Sequence, residues 1–320
     1  MMLKVLSHVV VASAMLQMFP ADMLDVEQRA LDADRTESVY TIASLPKAQL
    51  PIASSVEQPP TKRNPNRLGV ITSAVSAVVV DQATGEILLA KNIDEPRSIG
   101  SITKLMTAHV FLKDNPDLEQ VVSLRSEDLR FGGIQHLSLS DTFTLRDILQ
   151  ASLIASDNTA TAALVRLSGH SLGDFVAKMN EEAAQIGMQQ TTFADATGLS
   201  SKNQSVVLDV SVLLNAVVQN ETIAQITQTA QTTITGDSGR RYTLTSTDEL
   251  LSSFINRSPY QIEVAKTGFL PEAGYCLGSL FSFEDDHEIM VVVLGSQTKA
   301  GRFTDVKALA EWTYDAYEWN

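Results

Sequence analysis

The chain contains a single cysteine, Cys276. No intramolecular disulfide is therefore open to it, and the fold must rest on its core. Cys276 lies in the apolar run Gly274-Tyr275-Cys276-Leu277, the setting of a small buried residue rather than of a nucleophile. Histidine is sparse as well. His8, His109, His136, His170 and His287 are scattered, with no His-x-x-x-His or Cys-x-x-Cys spacing, so neither a metal nor a cofactor is expected. Positive charge is short: 24 Lys and Arg against 38 Asp and Glu leave a net charge of -14. Without a basic stripe, such a surface repels phosphate backbones, and nucleic acid is not an expected partner. Long apolar runs are also missing. The stretch Val5 to Phe19 is shorter than the roughly 20 residues a membrane span needs.

Hydrophobic residues make up 44% of the 320, enough for one large domain or two small ones with a real core. Lys4, the apolar stretch Val5 to Phe19 and then Pro20-Ala21 follow the order of a secretory signal, so residues 1–21 are expected to direct export. No cysteine in that leader could carry a lipid. Residues 22–67 are rich in Asp, Glu, Gln and Ser. They hold Pro46, Pro51, Pro59, Pro60 and Pro65, the composition of a flexible linker. Residues 68–320 are expected to form the folded domain.

That domain begins with β-branched runs, Ser73 to Asp81 and Glu86 to Lys91, joined by Gln82-Ala83-Thr84-Gly85 as a hairpin. From Ser101 to Lys113, Ile102, Leu105, Met106, Val110 and Leu112 recur at helical spacing. Thr144 is a candidate cap for a helix through Leu153. Further helical runs close at Gly169 and Gly187, and another covers Leu208 to Val218. Strands return at Tyr260 to Lys266, Tyr275 to Phe283 and Glu288 to Leu294, the last two joined by the turn Glu284 to His287. A helix from Phe303 to Tyr317 ends the chain. Strands at both ends with helices between predict an α+β fold: one antiparallel sheet flanked by helices, with a helical insert.

Three short motifs carry chemistry. In Ser101-Ile102-Thr103-Lys104, positions i and i+3 of a helix share a face, so Lys104 can reach the Ser101 hydroxyl. A serine needs such a base, and burial or a nearby cation can depress a lysine pKa into that role. Two further Ser-x-x-Lys copies occur. Ser44 to Lys47 lies in the Pro-rich segment, and Ser296 to Lys299 follows a strand without an evident apolar helix. Ser156-Asp157-Asn158, between two helical runs, can turn a hydroxyl and an amide into one cleft. Capping a helix is the plainer use of such residues, and Ser201-Lys202-Asn203 repeats the pattern in a polar loop. Lys266-Thr267-Gly268 offers a cation, a hydroxyl and a glycine that lets a substrate backbone approach the strand.

Taken in this order, the motifs resemble the set of penicillin-binding proteins and serine β-lactamases. More narrowly, the chain resembles the D-alanyl-D-alanine peptidase family from about Leu68 to its C-terminus. Phe193, Gly198-Leu199, Phe269 and Ala273-Gly274-Tyr275 add to the likeness. The resemblance implies a β-lactamase/transpeptidase-like fold. It implies that Ser101 forms an acyl-enzyme with a D-alanine carbonyl, Lys104 accepts its proton, and Ser156 and Asn158 complete the relay. Lys266 and Thr267, in the stretch Lys266-Thr267-Gly268-Phe269, would hold the substrate carboxylate. Backbone N–H groups of Ser101 and Phe269 would form the oxyanion hole. Peptidoglycan peptides ending in, or cross-linked through, D-Ala would be substrates, and β-lactams would be covalent inhibitors.

Two departures shape the expectation. Leu244 to Leu250 holds no Arg where many relatives carry one, although Arg240 and Arg241 lie just upstream. The final residues, Glu311 to Asn320, are acidic and poorly suited to anionic lipid, so no stable membrane anchor is expected. This compact form resembles the endopeptidase branch, acting in the periplasm, more than the carboxypeptidases. A serine β-lactamase of class A would need a Glu-x-x-Leu-Asn segment, but the corresponding region reads Thr192-Phe193-Ala194-Asp195-Ala196. A non-catalytic peptidoglycan-binding protein would have no need of Lys104.

Overall fold

Ser76–Asp81 (β1) is buried along its whole length, which requires a sheet covered on both faces. The computed structural model describes residues 58–284 and 287–319. The leader, the first Ser-x-x-Lys copy and the middle of the turn from Glu284 to His287 lie outside them. After β1 come Ile87–Lys91 (β2) and, much later, Gln261–Leu270 (β3), Gly274–Phe283 (β4) and His287–Ser296 (β5). They form one five-stranded sheet in the order β3-β4-β5-β1-β2, every pair antiparallel. The expected sheet built from both ends of the domain is thus present.

Alternation along the strands divides the core in two. Val78, Val80, Val264, Leu280, Met290 and Val292 face the helical insert. Ala77, Val79, Ala265, Phe281, Val291 and Val293 face Lys299–Ala316 (α7), against Phe303, Val306, Leu309 and Tyr314. That helix starts earlier than the expected Phe303 because Thr298 caps it, its hydroxyl accepting from Gly301 N–H at 2.9 Å. The Ser296 to Lys299 copy therefore does lead into a helix. Backbone pairing also starts ahead of Leu68, where Thr61–Lys62 pairs with Tyr317–Glu318.

The insert holds Thr103–Lys113 (α1), Leu145–Leu153 (α2), Asn158–Leu167 (α3), Leu172–Ile186 (α4), Val207–Val218 (α5) and Glu221–Thr227 (α6). In α1 nearly every side chain is buried, so it is an interior helix rather than a surface one. Thr144 caps α2 with Asp147 in a capping box, as expected. Gly187 closes α4 at φ 96°. The hairpin Gln231–Thr235 with Arg241–Thr245 had no counterpart among the expected elements. Its alternating Thr pattern, with single buried residues such as Ile234 and Leu244, gave a weak apolar signal.

Candidate active site

Ser101 lies in a short 3₁₀ turn, Gly100–Ile102, that runs directly into α1. Lys104 is in the first turn of α1, fully buried, and its ammonium donates to Ser101 Oγ at 3.0 Å, Asn158 Oδ1 at 2.6 Å and the Thr197 carbonyl at 2.6 Å. Those three acceptors match the three donors of an ammonium group. Burial pushes the Lys104 pKa down to about 7 against the opposing pull of Asp195 and Asp157. A lysine in that range carries an appreciable neutral fraction at neutral pH and can accept the Ser101 proton.

Asn158 opens α3, and Asp157 rather than Ser156 caps that helix. Asp157 Oδ1 accepts from the N–H groups of Thr159 and Ala160, and Oδ2 accepts from His136 N–H. Capping by its neighbour leaves Ser156 free to face the cleft. Ser156 sits at φ 58°, a left-handed conformation that costs a non-glycine residue about 1–3 kcal/mol and marks functional sites. Its Oγ accepts a hydrogen bond from Lys266 Nζ at 3.1 Å rather than from Lys104. Asn158 Nδ2 donates to the Gly132 carbonyl at 2.8 Å, fixing the amide with its oxygen toward Lys104.

Lys266 lies inside β3, which continues past it to Leu270 instead of ending there. The side chain is buried, and its ammonium donates to Ser156 Oγ and the Thr267 carbonyl. Burial, then the like charges of Lys104 and Arg302, hold its pKa well below the usual lysine range. It stands behind the cleft wall. The open cleft, about 310 Å³, is lined by Ser101, Ser156, Thr267, Gly268, Phe269 and Arg302 among others. Gly268 has a packing reason of its own, since a Cβ there would lie 2.1 Å from the Ile99 carbonyl oxygen. Gly198 has the same use: a Cβ on it would lie 2.2 Å from the Gly100 carbonyl oxygen. These contacts bring the Ser101 turn, β3 and the Thr197 loop together at bare backbone.

Arg302 is the residue that the motifs missed. It sits in the first turn of α7, buried, with Nη1 donating to the Gly268 carbonyl at 3.1 Å and the guanidinium 4.6 Å from the Phe303 ring centroid. Its Nε is buried without a protein partner. Arg240 and Arg241, by contrast, lie exposed at the hairpin and do not line the cleft. Behind Arg302, burial raises the Asp248 carboxyl to about 6, opposed by the Leu250 N–H, Arg302 and Lys266.

The remaining motif copies have structural work. Asn203, from Ser201-Lys202-Asn203, is fully buried. It donates to Thr103 Oγ1 at 3.0 Å and accepts from Ala194 and Asp195 N–H, tying the Thr197 loop to α1. Ser296 donates to Asp305 Oδ2 at 2.8 Å. Asp195 accepts from the N–H groups of Thr197, Gly198 and Ser200, so it is committed to the loop rather than to a deacylating water. Cys276 is buried as expected, and burial raises its thiol to about 11.

Residues 61–298 match the family described as D-alanyl-D-alanine carboxypeptidase. The chain is 32% identical over 265 residues to the D-alanyl-D-alanine endopeptidase of Pseudomonas aeruginosa, covering 82% of this chain and 84% of that one. It is 27% identical over 251 residues to a D-alanyl-D-alanine carboxypeptidase of Bacillus subtilis, covering 77% of this chain and 63% of that one. The solved Streptomyces K15 DD-transpeptidase superposes with a TM-score of 0.72 at 26% identity, covering 78% of this chain and 100% of that one.

Proposed function

Because this chain belongs to the D-alanyl-D-alanine carboxypeptidase family of serine peptidases, we propose that it cuts peptidoglycan cross-links through an acyl-enzyme on Ser101. The observation that carries the chemistry is the contact of buried Lys104 with Ser101 Oγ at 3.0 Å.

Neutral Lys104 takes the Ser101 proton as Oγ attacks the D-alanine carbonyl. Asn158 and the Thr197 carbonyl hold the lysine nitrogen on line. The N–H groups of Ser101 and Phe269 receive the oxyanion. Collapse of the tetrahedral intermediate breaks the C–N bond, and the proton that Lys104 took from Ser101 passes through Ser156 to the leaving amine, which makes Lys104 neutral again. Lys266 donates to Ser156 Oγ, which leaves the hydroxyl proton facing the cleft. Water then attacks the ester, Lys104 accepts its proton and returns it to Ser101 Oγ as the acyl–oxygen bond breaks. Thr267 and Arg302 hold the carboxylate beside the leaving amine, while Lys266 tunes Ser156 and contributes its charge from behind.

The endopeptidase assignment draws on the greater likeness to a protein of that name, 32% identical against 27% for the carboxypeptidase. We place the enzyme in the bacterial periplasm. Residues 1–21 would be the signal, 22–67 largely a tether and 68–320 the bulk of the catalytic domain, with a part in cell shape and wall growth. Among the described residues no helix is long and apolar enough to cross a membrane. β-Lactams acylate Ser101 as substrate mimics.

Incubation with purified cross-linked stem-peptide dimers, with Ser101→Ala as control, tests the reading. Ser101-dependent conversion of dimers to monomers is expected. Release of D-alanine from pentapeptides with dimers untouched would make the chain a carboxypeptidase. Rapid nitrocefin turnover would favour a β-lactamase, and no product from any substrate would leave a binding protein.

A further inference from the structure

Lys299 opens α7 and lines the same cleft as Ser101. Its ammonium lies 2.7 Å from Glu249 Oε1, and both side chains are mostly exposed, at 63% and 58%. The first turn of α7 holds Lys299 and Arg302 and no acid. A cation there opposes the positive end of the helix dipole, so neither residue is explained by helix stability. In a chain of net charge -14, this turn puts two cations on the cleft wall with Glu249 as the acid beside them.

Lys299 and Arg302 are i and i+3 on one helix and so share a face. If Arg302 meets the carboxylate beside the leaving amine, Lys299 lies one turn farther along the same wall. A leaving D-alanine has no carboxylate beyond the one beside its amine. The leaving half of a cross-link continues as a second peptide with a carboxylate of its own.

We propose that Lys299 is a specificity residue that binds a carboxylate of the leaving peptide, with Glu249 neutralising it while the cleft is empty. The inference rests on the peptidase reading of the cleft and names its leaving-side substrate class. An exposed ion pair is weak enough for a substrate carboxylate to displace Glu249 from Lys299. Arg302 is already assigned to the carboxylate beside the leaving amine, with its Nη1 held by the Gly268 carbonyl.

The two partners of the pair should then respond with opposite signs. In the full chain, Lys299→Gln is expected to lower the dimer-to-pentapeptide ratio of kcat/KM by about two- to fivefold, through KM. Glu249→Gln is expected to raise that ratio by about two- to threefold, because Lys299 no longer has a resident partner. A structural strut would give losses of the same sign in both. Equal signs, or an unmoved ratio, overturn the inference.

Binding is read separately as protection of Ser101 from a fluorescent penicillin by the dimer. The half-protecting dimer concentration should rise in Lys299→Gln and fall in Glu249→Gln. If the wild-type chain leaves dimers uncut, the endopeptidase reading fails, and the protection shifts still decide the role of Lys299. Absence of protection by dimers in the wild-type chain overturns the inference.

Discussion

Arg302 donates through Nη1 to the carbonyl of Gly268 at 3.1 Å, which joins the helix that closes the domain to the strand bearing Lys266-Thr267-Gly268. The bond holds a guanidinium against the open cleft while Lys266 is turned behind it toward Ser156. The carboxylate recognition proposed for this cleft thus includes a residue outside all three motifs.

Arg302→Gln is expected to raise KM for peptides with a free carboxylate beside the scissile amide by about 10- to 100-fold, the loss of roughly 1.5–3 kcal/mol for a charged hydrogen bond. An amide in place of that carboxylate should leave wild type and variant within about threefold of each other. Steady-state kinetics on the paired peptides, with a thermal melt to check folding, measures both.

The acid limb of activity belongs to Lys104. Burial holds its pKa near 7, and only the neutral amine accepts the Ser101 proton. Below about pH 7, kcat/KM should fall about tenfold per pH unit, and it should level off above. The sign follows because lowering the pH protonates the base. Lys104→Arg keeps the charge but cannot lose its proton, so Ser101 acylation should be lost at every pH tested. A pH–rate profile on a peptide substrate, with penicillin labelling for the variant, checks this.

Gly268→Ala places a Cβ 2.1 Å from the Ile99 carbonyl oxygen if nothing moves. The backbone next to Ser101 must shift. The expected cost is about 1–3 kcal/mol of stability together with a loss of acylation rate greater than that of a cleft-rim change. Chemical denaturation and penicillin acylation kinetics on the same sample measure the two effects.

Ser156→Ala and Ser156→Gly both remove the hydroxyl bonded to Lys266, and both should lose peptidase activity to a similar degree. They should differ in stability. At φ 58° glycine avoids the left-handed penalty, so the glycine variant should be more stable than the alanine variant by about 1–2 kcal/mol. Paired denaturation curves decide this.

The sequence made much of this arrangement legible. Ser101 sits in the 3₁₀ turn that runs straight into the helix of Lys104, so the expected i, i+3 contact forms. The strand runs around Val78, Phe281 and Val292 announced a sheet covered on both faces, and Thr144 and Gly187 marked helix ends. What stayed hidden depends on contacts between distant segments. Arg302 lies just before the expected helix start at Phe303 and belongs to none of the motifs, and only the packing of α7 onto β3 brings it to Gly268. Asn203 and Asp195 looked like loop polarity, although Asn203 is buried and together they hold the Thr197 carbonyl against Lys104. The glycine of Lys266-Thr267-Gly268 suggested substrate approach, and its contact with the Ile99 carbonyl could not be read from the motif. The Ser296 to Lys299 segment lacked an apolar helical pattern because α7 begins polar, with Lys299, Gly301 and Arg302 in its first turn.

The most direct measurement is the intact mass of the full chain after reaction with benzylpenicillin, followed by mapping of the modified peptide. The account predicts one penicilloyl group per chain, on the peptide carrying Ser101, absent from Ser101→Ala and from Lys104→Arg. No adduct on the wild-type chain, or an adduct on Ser156 that survives Ser101→Ala, would contradict it.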